Sequence, residues 1–330
     1  MKREYLVSAA LVAVILGLLV WQDVGPWSDP PEPWPVVRND GVAIGVTTLS
    51  LARNSFSAWP RHALEEVNRF EQDARLHADI VMWFADWERG TFDPDQARAV
   101  AERGSVPEIS WEPWDSRSEP REPQPEYALA RIIEGRHDAY VRRFAEAVRA
   151  YGGPVRLRFA QEMNGRAYPW AQGAPGEFAR AWRHVHGLFT AVGATNVTWI
   201  WSPVAGTIRS DQYPGDAYVD VVGLSGFNGG TELFSRRWRS FAEAFGPPLD
   251  ALRALAPDKP VALTEIASAE QGGSKAEWTT GMFAEVKRRP YIRAVVWFNL
   301  RKETDWRIES SPEAQAAFAA GAATVTRAGR

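Results

Sequence analysis

Residues 155–165 read Val155-Arg-Leu-Arg-Phe159-Ala-Gln-Glu162-Met-Asn-Gly165. The first five form one of the short apolar, often β-branched runs that read as strands, and they run straight into a polar cluster. Upstream, Tyr140, Val141, Phe144, Ala145 and Val148 share one helical stripe; downstream, Phe178, Trp182, Val185 and Phe189 share another. The same alternation continues in both directions. Strand-like runs fall at Val42 to Thr48, Ile80 to Phe84, Val106 to Trp111, Val155 to Phe159, Val197 to Trp201, Tyr218 to Leu224, Val261 to Thr264 and Ala294 to Phe298. Eight strands alternating with helices in a chain of this size predict an α/β fold, a (β/α)8 TIM barrel rather than an open doubly wound sheet. The interval from Trp201 to Tyr218 has little room for a full helix, so one unit is expected to be abbreviated.

Chemistry in such barrels sits at the C-terminal ends of the strands. There the third run ends in Trp111-Glu112-Pro-Trp114-Asp115, the fourth in Gln161-Glu162-Met-Asn164, the seventh in Thr264-Glu265 and the eighth in Trp297-Phe-Asn299. Carboxylates at the mouths of strands four and seven face each other across a barrel axis. A glycosidic bond needs such a pair, one to protonate the leaving oxygen and one to attack the sugar. Arg158, on the strand leading to Glu162, has two readings: a guanidinium that holds Glu265 ionised, or a structural partner of Glu112. Asp115 reads as a loop cap or a contact to sugar hydroxyls.

The segments Arg158-Phe-Ala-Gln-Glu162-Met-Asn-Gly with Tyr168-Pro-Trp170, Val197-Thr-Trp-Ile-Trp201-Ser-Pro203 and Lys259-Pro-Val-Ala-Leu-Thr-Glu265 together resemble glycoside hydrolase family 26. The resemblance runs from the first strand to Asp305-Trp-Arg307. It implies a retaining β-glycoside hydrolase, endo-β-1,4-mannanase-like, acting on β-linked mannan or a related β-glucan. It further implies Glu162 as acid/base, Glu265 as nucleophile and Trp297 as an aromatic platform. Trp111, Trp170 and Trp201 are further candidate platforms, and Gln161, Asn164 and Phe227 complete the expected substrate-binding set. The chain departs from the family pattern at Gln161, where relatives carry His, and at Gly223-Leu-Ser225-Gly-Phe227-Asn-Gly229, where they read Gly-Leu-Asp-Gly-Tyr-Asn-Trp. An amide at 161 can hydrogen-bond but cannot titrate. Phe227 lacks the hydroxyl that would touch the nucleophile. A non-catalytic carbohydrate-binding protein on the same barrel is the competing class.

Composition narrows the field. With 38 Lys+Arg against 41 Asp+Glu the formal charge is −3, and no basic block offers a footprint for nucleic acid. The absence of cysteine removes disulfides, thiolate metal sites and cysteine nucleophiles. No metal or organic cofactor is expected, and His184 and His186, two apart on a helix, face different directions. Sixteen tryptophans suit stacking on sugar rings. At the N-terminus, Lys2 and Arg3 precede an uncharged run from Tyr5 to Trp21 without a small-x-small cleavage site. Residues 1–24 therefore read as an uncleaved signal anchor with its N-terminus inside, or else a cleaved signal peptide and a secreted protein. Residues 25–38, with five prolines, read as a stiff spacer, and 39–330 as the extracytoplasmic barrel, a partner of the membrane only through that segment.

Overall fold

A computed structural model describes residues 41–53, 61–118, 122–233 and 236–326. The expected anchor and proline-rich spacer lie outside the described residues. Among the described residues no helix is long and apolar enough to cross a membrane.

Eight parallel strands close into a barrel in the order β1 to β8. They are β1 (Ala43–Thr48), β2 (Ile80–Asp86), β3 (Val106–Glu112), β4 (Val155–Phe159), β5 (Val197–Trp201), β6 (Val221–Asn228), β7 (Val261–Ser268) and β8 (Ile292–Asn299). Closure comes from β1 lying beside β8, with Ala43 opposite Ala294 and Thr48 opposite Asn299. The helices between them are α1 (Leu49–Arg53), α2 (Arg61–Ala74), α3 (Pro94–Glu102), α4 (Leu129–Ile133), α5 (Asp138–Tyr151), α6 (Glu177–Ala191), α7 (Phe241–Leu255) and α8 (Lys275–Arg288), with α9 (Pro312–Ala323) after β8. The short unit between β5 and β6 holds only the single turns Ser210–Gln212 and Asp216–Tyr218.

Local chemistry explains the helix ends. Ser240 caps α7 by accepting from the Glu243 N–H while the Glu243 side chain reaches back, and Gly152 closes α5 at φ 74, where a side chain would be strained. The predicted stripes are the buried faces: Val141, Phe144, Ala145 and Val148 on α5; Phe178, Trp182, Val185 and Phe189 on α6. Two cores result. A small one inside the barrel holds Ile80, Met82, Ile200, Val221, Ala262, Ala294 and Val296, and a large one fills the space between sheet and helices. Several strands run further into their polar ends than their apolar runs predict, β7 to Ser268 rather than Thr264. In a closed sheet neighbours on both sides keep accepting and donating backbone hydrogen bonds, whatever the side chain. Strand β6 begins at Val221 because Tyr218 is taken into the preceding turn.

Candidate active site

Alternation along each strand decides what reaches the cleft. On β4, Arg156 and Arg158 point inward while Val155, Leu157 and Phe159 join the outer core. Arg156 pairs with Glu108 of β3 at 2.7 Å in the barrel floor. One layer higher, Arg158 Nη1 donates to Glu265 Oε2 at 2.6 Å and to Ser110 Oγ at 3.0 Å. Of the two readings of Arg158, the structure places it against Glu265. Glu112 meets Gln161 and Trp114 instead, accepting from Gln161 Nε2 at 2.5 Å and from Trp114 Nε1 at 3.1 Å.

Beyond β4 the backbone turns sharply. Ala160 and Glu162 both adopt left-handed conformations, φ 47 and 58. Such residues cost of order 1–3 kcal/mol each and persist only where their surroundings over-determine them. Here the Ala160 N–H donates to Trp111 O at 3.0 Å and the Glu162 N–H to Ser202 O at 2.7 Å. Asn164 ties the same turn to the loop after β5, donating to Val204 O at 2.8 Å and accepting from the Val204 N–H at 2.8 Å. The result sends Gln161 toward Glu112, while Glu162 Oε1 accepts from Ser225 Oγ at 2.7 Å.

Glu265 reaches the cleft by a different device. Ala262 faces the barrel interior and Leu263 the outer core. Thr264 faces inward again, its hydroxyl 2.6 Å from Ser202 Oγ. Strict alternation would then turn Glu265 toward the helices. The β6–β7 register jumps instead, with Leu224 opposite Leu263 and Ser225 opposite Glu265, so Thr264 is the extra residue of a bulge. The bulge re-aims Glu265 at Arg158, and Glu265 keeps 7% of its surface accessible.

Burial raises two of the cleft carboxyls. Burial, then the negative charge of Glu265, pushes the Glu162 carboxyl up to about 7, against the opposing pull of Arg158 and of the Ser225 hydrogen bond. Burial likewise pushes Glu112 up to about 7, because its hydrogen-bond partners are a neutral amide and an indole rather than a cation. The Tyr168 phenol is pushed well up by burial and by the charges of Glu162, Glu112 and Glu265. Its ring stacks flat on Trp170 at 4.4 Å and meets Trp114 edge-on at 5.4 Å.

The aromatic expectations divide. Trp111, Trp201 and Trp297 are fully buried behind the barrel wall rather than in the cleft. Trp111 packs on Phe144 of α5 and Phe189 of α6, Trp201 donates to Gln212 O, and Trp297 meets Trp278 of α8 and Phe318 of α9. The reason is parity: Ile200, Val296 and Ser110 take the inward places beside them. Trp170 is also buried, donating to Gln161 O at 2.7 Å and lying beneath Tyr168. Phe227 is half-buried on the inward face of β6, against Phe298 and Trp306 at 5.2 Å each. Asp115 caps its own loop, accepting from the Arg117 N–H at 3.0 Å. His184 bonds Asp138 while His186 packs on Trp199, and no group of three metal-ligating side chains occurs among the described residues. Sequence reasoning passed over Ser225 and Tyr168 as site residues. Inward parity from Val221 marks the first; the second, one residue before the Pro169-Trp170 pair, carries no periodic signal.

Residues 130–244 match Glycosyl hydrolase family 26, a span that contains Glu162 and ends before Glu265. The chain is 36% identical over 335 residues to Endoglucanase H of Acetivibrio thermocellus, covering 96% of this chain and 33% of that protein. A 134-residue stretch is 28% identical to the mannan endo-1,4-beta-mannosidase of Bacillus subtilis, covering 37% of this chain and 33% of that protein. The chain thus spans a third of the length of these curated relatives. Among solved structures, a double mutant of a Cellulomonas fimi endo-beta-1,4-mannanase superposes with TM-score 0.65 at 20% identity, over 87% of this chain and 71% of that one. A beta-mannanase from Bacteroides ovatus does so with TM-score 0.64 at 16% identity, over 86% and 89%. At those identities the structures share the barrel, and the sequence carries the kinship: residues 130–244 are those of a glycosyl hydrolase family 26 member.

Proposed function

We propose that the protein is a retaining β-glycoside hydrolase that cleaves within a β-linked polysaccharide backbone. The observation that supports this best is the pair Glu162 and Glu265, close enough for each charge to act on the other yet held by opposite partners, a neutral hydroxyl and a guanidinium. Two carboxyls in unlike environments divide acid from nucleophile. Glu265 attacks the anomeric carbon as the glycosidic C–O bond breaks, and Glu162 gives its proton to the departing oxygen. Water then attacks the same carbon, Glu162 takes the water proton, and the bond to Glu265 breaks with the carboxylate as leaving group. Tyr168, stacked on Trp170, offers a flat face at the cleft for a sugar ring.

The relative matched along nearly the whole chain is named an endoglucanase and the partial match a mannosidase, so β-glucan and mannan are the polymers to test first. The test is reducing-end release by the purified protein on mannan, glucomannan, mixed-linkage glucan and xylan. Release from one polymer that disappears in Glu265→Ala supports the reading; release that survives the substitution overturns the assignment. We also assign the barrel to the extracytoplasmic side, tethered by residues 1–24. Protease treatment of intact cells should then remove the barrel, and a protein protected until lysis would refute it.

A further inference from the structure

Ser225 is fully buried on the inner face of β6 and lies in register with Glu265 on β7. Its Oγ–H donates to Glu162 Oε1 at 2.7 Å. Its main chain is fixed on both sides: its N–H donates to Pro203 O at 3.0 Å, and its carbonyl accepts from the Ala205 N–H at 2.7 Å. The charged and titratable groups facing Glu162 are Arg158 from β4, Glu265 from β7 and Tyr168 from the loop after β4. Arg158 Nη1 donates to Glu265 and Ser110. The side-chain hydrogen bond on Glu162 comes from Ser225.

We propose that Ser225 is the positioning residue of the acid/base, holding Glu162 Oε1 through both halves of the reaction so that Oε2 alone delivers and recovers the proton. This rests on the glycosidase reading above. In the first half, the Oε2–H bond breaks, the proton goes to the leaving oxygen, and Ser225 goes on donating to Oε1 of the new carboxylate. In the second half, Oε2 takes a proton from the attacking water and the acid is restored. A hydroxyl suits both states, because it can donate to a carbonyl oxygen as well as to a carboxylate oxygen. The bond is stronger to the charged form, so it favours the state reached after proton transfer.

The first test needs no substrate. With 13C-labelled glutamate in the whole protein, and the Glu162 signal assigned by its loss in Glu162→Gln, Ser225→Ala should move the Glu162 titration midpoint upward. Ser225→Thr, which keeps the hydroxyl, should restore it. A midpoint unmoved by Ser225→Ala overturns the proposal. The second test is kinetic. Ser225→Ala should lower kcat/KM on the polysaccharide ~10-fold or more. It should leave unchanged the first release of dinitrophenolate from a 2,4-dinitrophenyl β-glycoside, whose leaving group needs no proton. Equal losses on both substrates would mark a merely structural serine and overturn the proposal. A wild-type protein that turns over nothing would sink the glycosidase reading alone, and the titration would still decide the Ser225 contact.

Discussion

Glu162 is the proposed acid/base of the cleft. Its carboxyl, pushed up to about 7 by burial and by Glu265, is protonated below that value. In the proposed mechanism the protonated form is the acid, so kcat/KM should fall as pH rises through about 7. A pH–rate profile checks this; a plateau extending well above pH 8 would deny Glu162 the acid's role. Below about pH 7, Glu162→Gln should cost roughly 10²–10⁴ in kcat/KM on a polysaccharide; on a dinitrophenyl glycoside, azide should raise kcat by taking the place of water in the attack on the glycosyl-enzyme. Glu112 is also pushed up to about 7, held by the amide of Gln161 and the indole of Trp114. The amide at 161 is therefore no spectator: it binds the third carboxyl of the cleft at 2.5 Å without adding a charge.

At the scale of elements, irregularities rather than ideal geometry aim the side chains. The bulge at Thr264 turns Glu265 inward, and the left-handed residues Ala160 and Glu162 bend the chain at the end of β4. The loop after β8 is held by a buried cation. Lys275, at the start of α8, donates to Asp305 O at 3.1 Å, Arg307 O at 2.6 Å and Ser310 Oγ at 2.9 Å. Between them lies Trp306, whose carbonyl receives the Trp297 indole at 2.9 Å and whose ring packs on Phe227. Lys275→Met leaves these acceptors without a donor, at about 1–3 kcal/mol for an unmet buried group. The melting temperature should drop by several degrees, at ~2–4 °C per kcal/mol for a domain of this size. Protection of the 300–310 amides from hydrogen exchange should weaken first. An unchanged melting temperature would show that the loop stands without its lysine.

For the whole molecule, the raised carboxyls couple the site to stability. Glu162 and Glu112 have folded values near 7 against 4.5 for the free side chain. The unfolded chain releases their protons first, so stability is full below about pH 4.5 and is lost as pH rises through about 7. Glu162→Gln, neutral at every pH, should therefore melt higher than wild type at pH 8, with the gap closing toward pH 5; a gap independent of pH would contradict this. Much of this was legible beforehand. Eight apolar runs with intervening stripes implied the barrel, because each layer must bury one face and the period of that face is written in the residues. The glutamates Glu162 and Glu265 stand out as the candidate pair from their places after apolar strands and from their motifs. What the one-dimensional pattern could not carry was parity and pairing. Trp111, Trp201 and Trp297 looked like sugar platforms but face the helices, since a strand shows alternate residues to opposite sides and one residue's shift reverses them. The choice of Glu265 rather than Glu112 as partner of Arg158, and of Ser225 as partner of Glu162, depends on register across β3, β4, β6 and β7. Local sequence determined which residues form strands and which end in carboxyls; closure of the barrel, with its bulge at Thr264, decided which of those carboxyls meet and what each one holds.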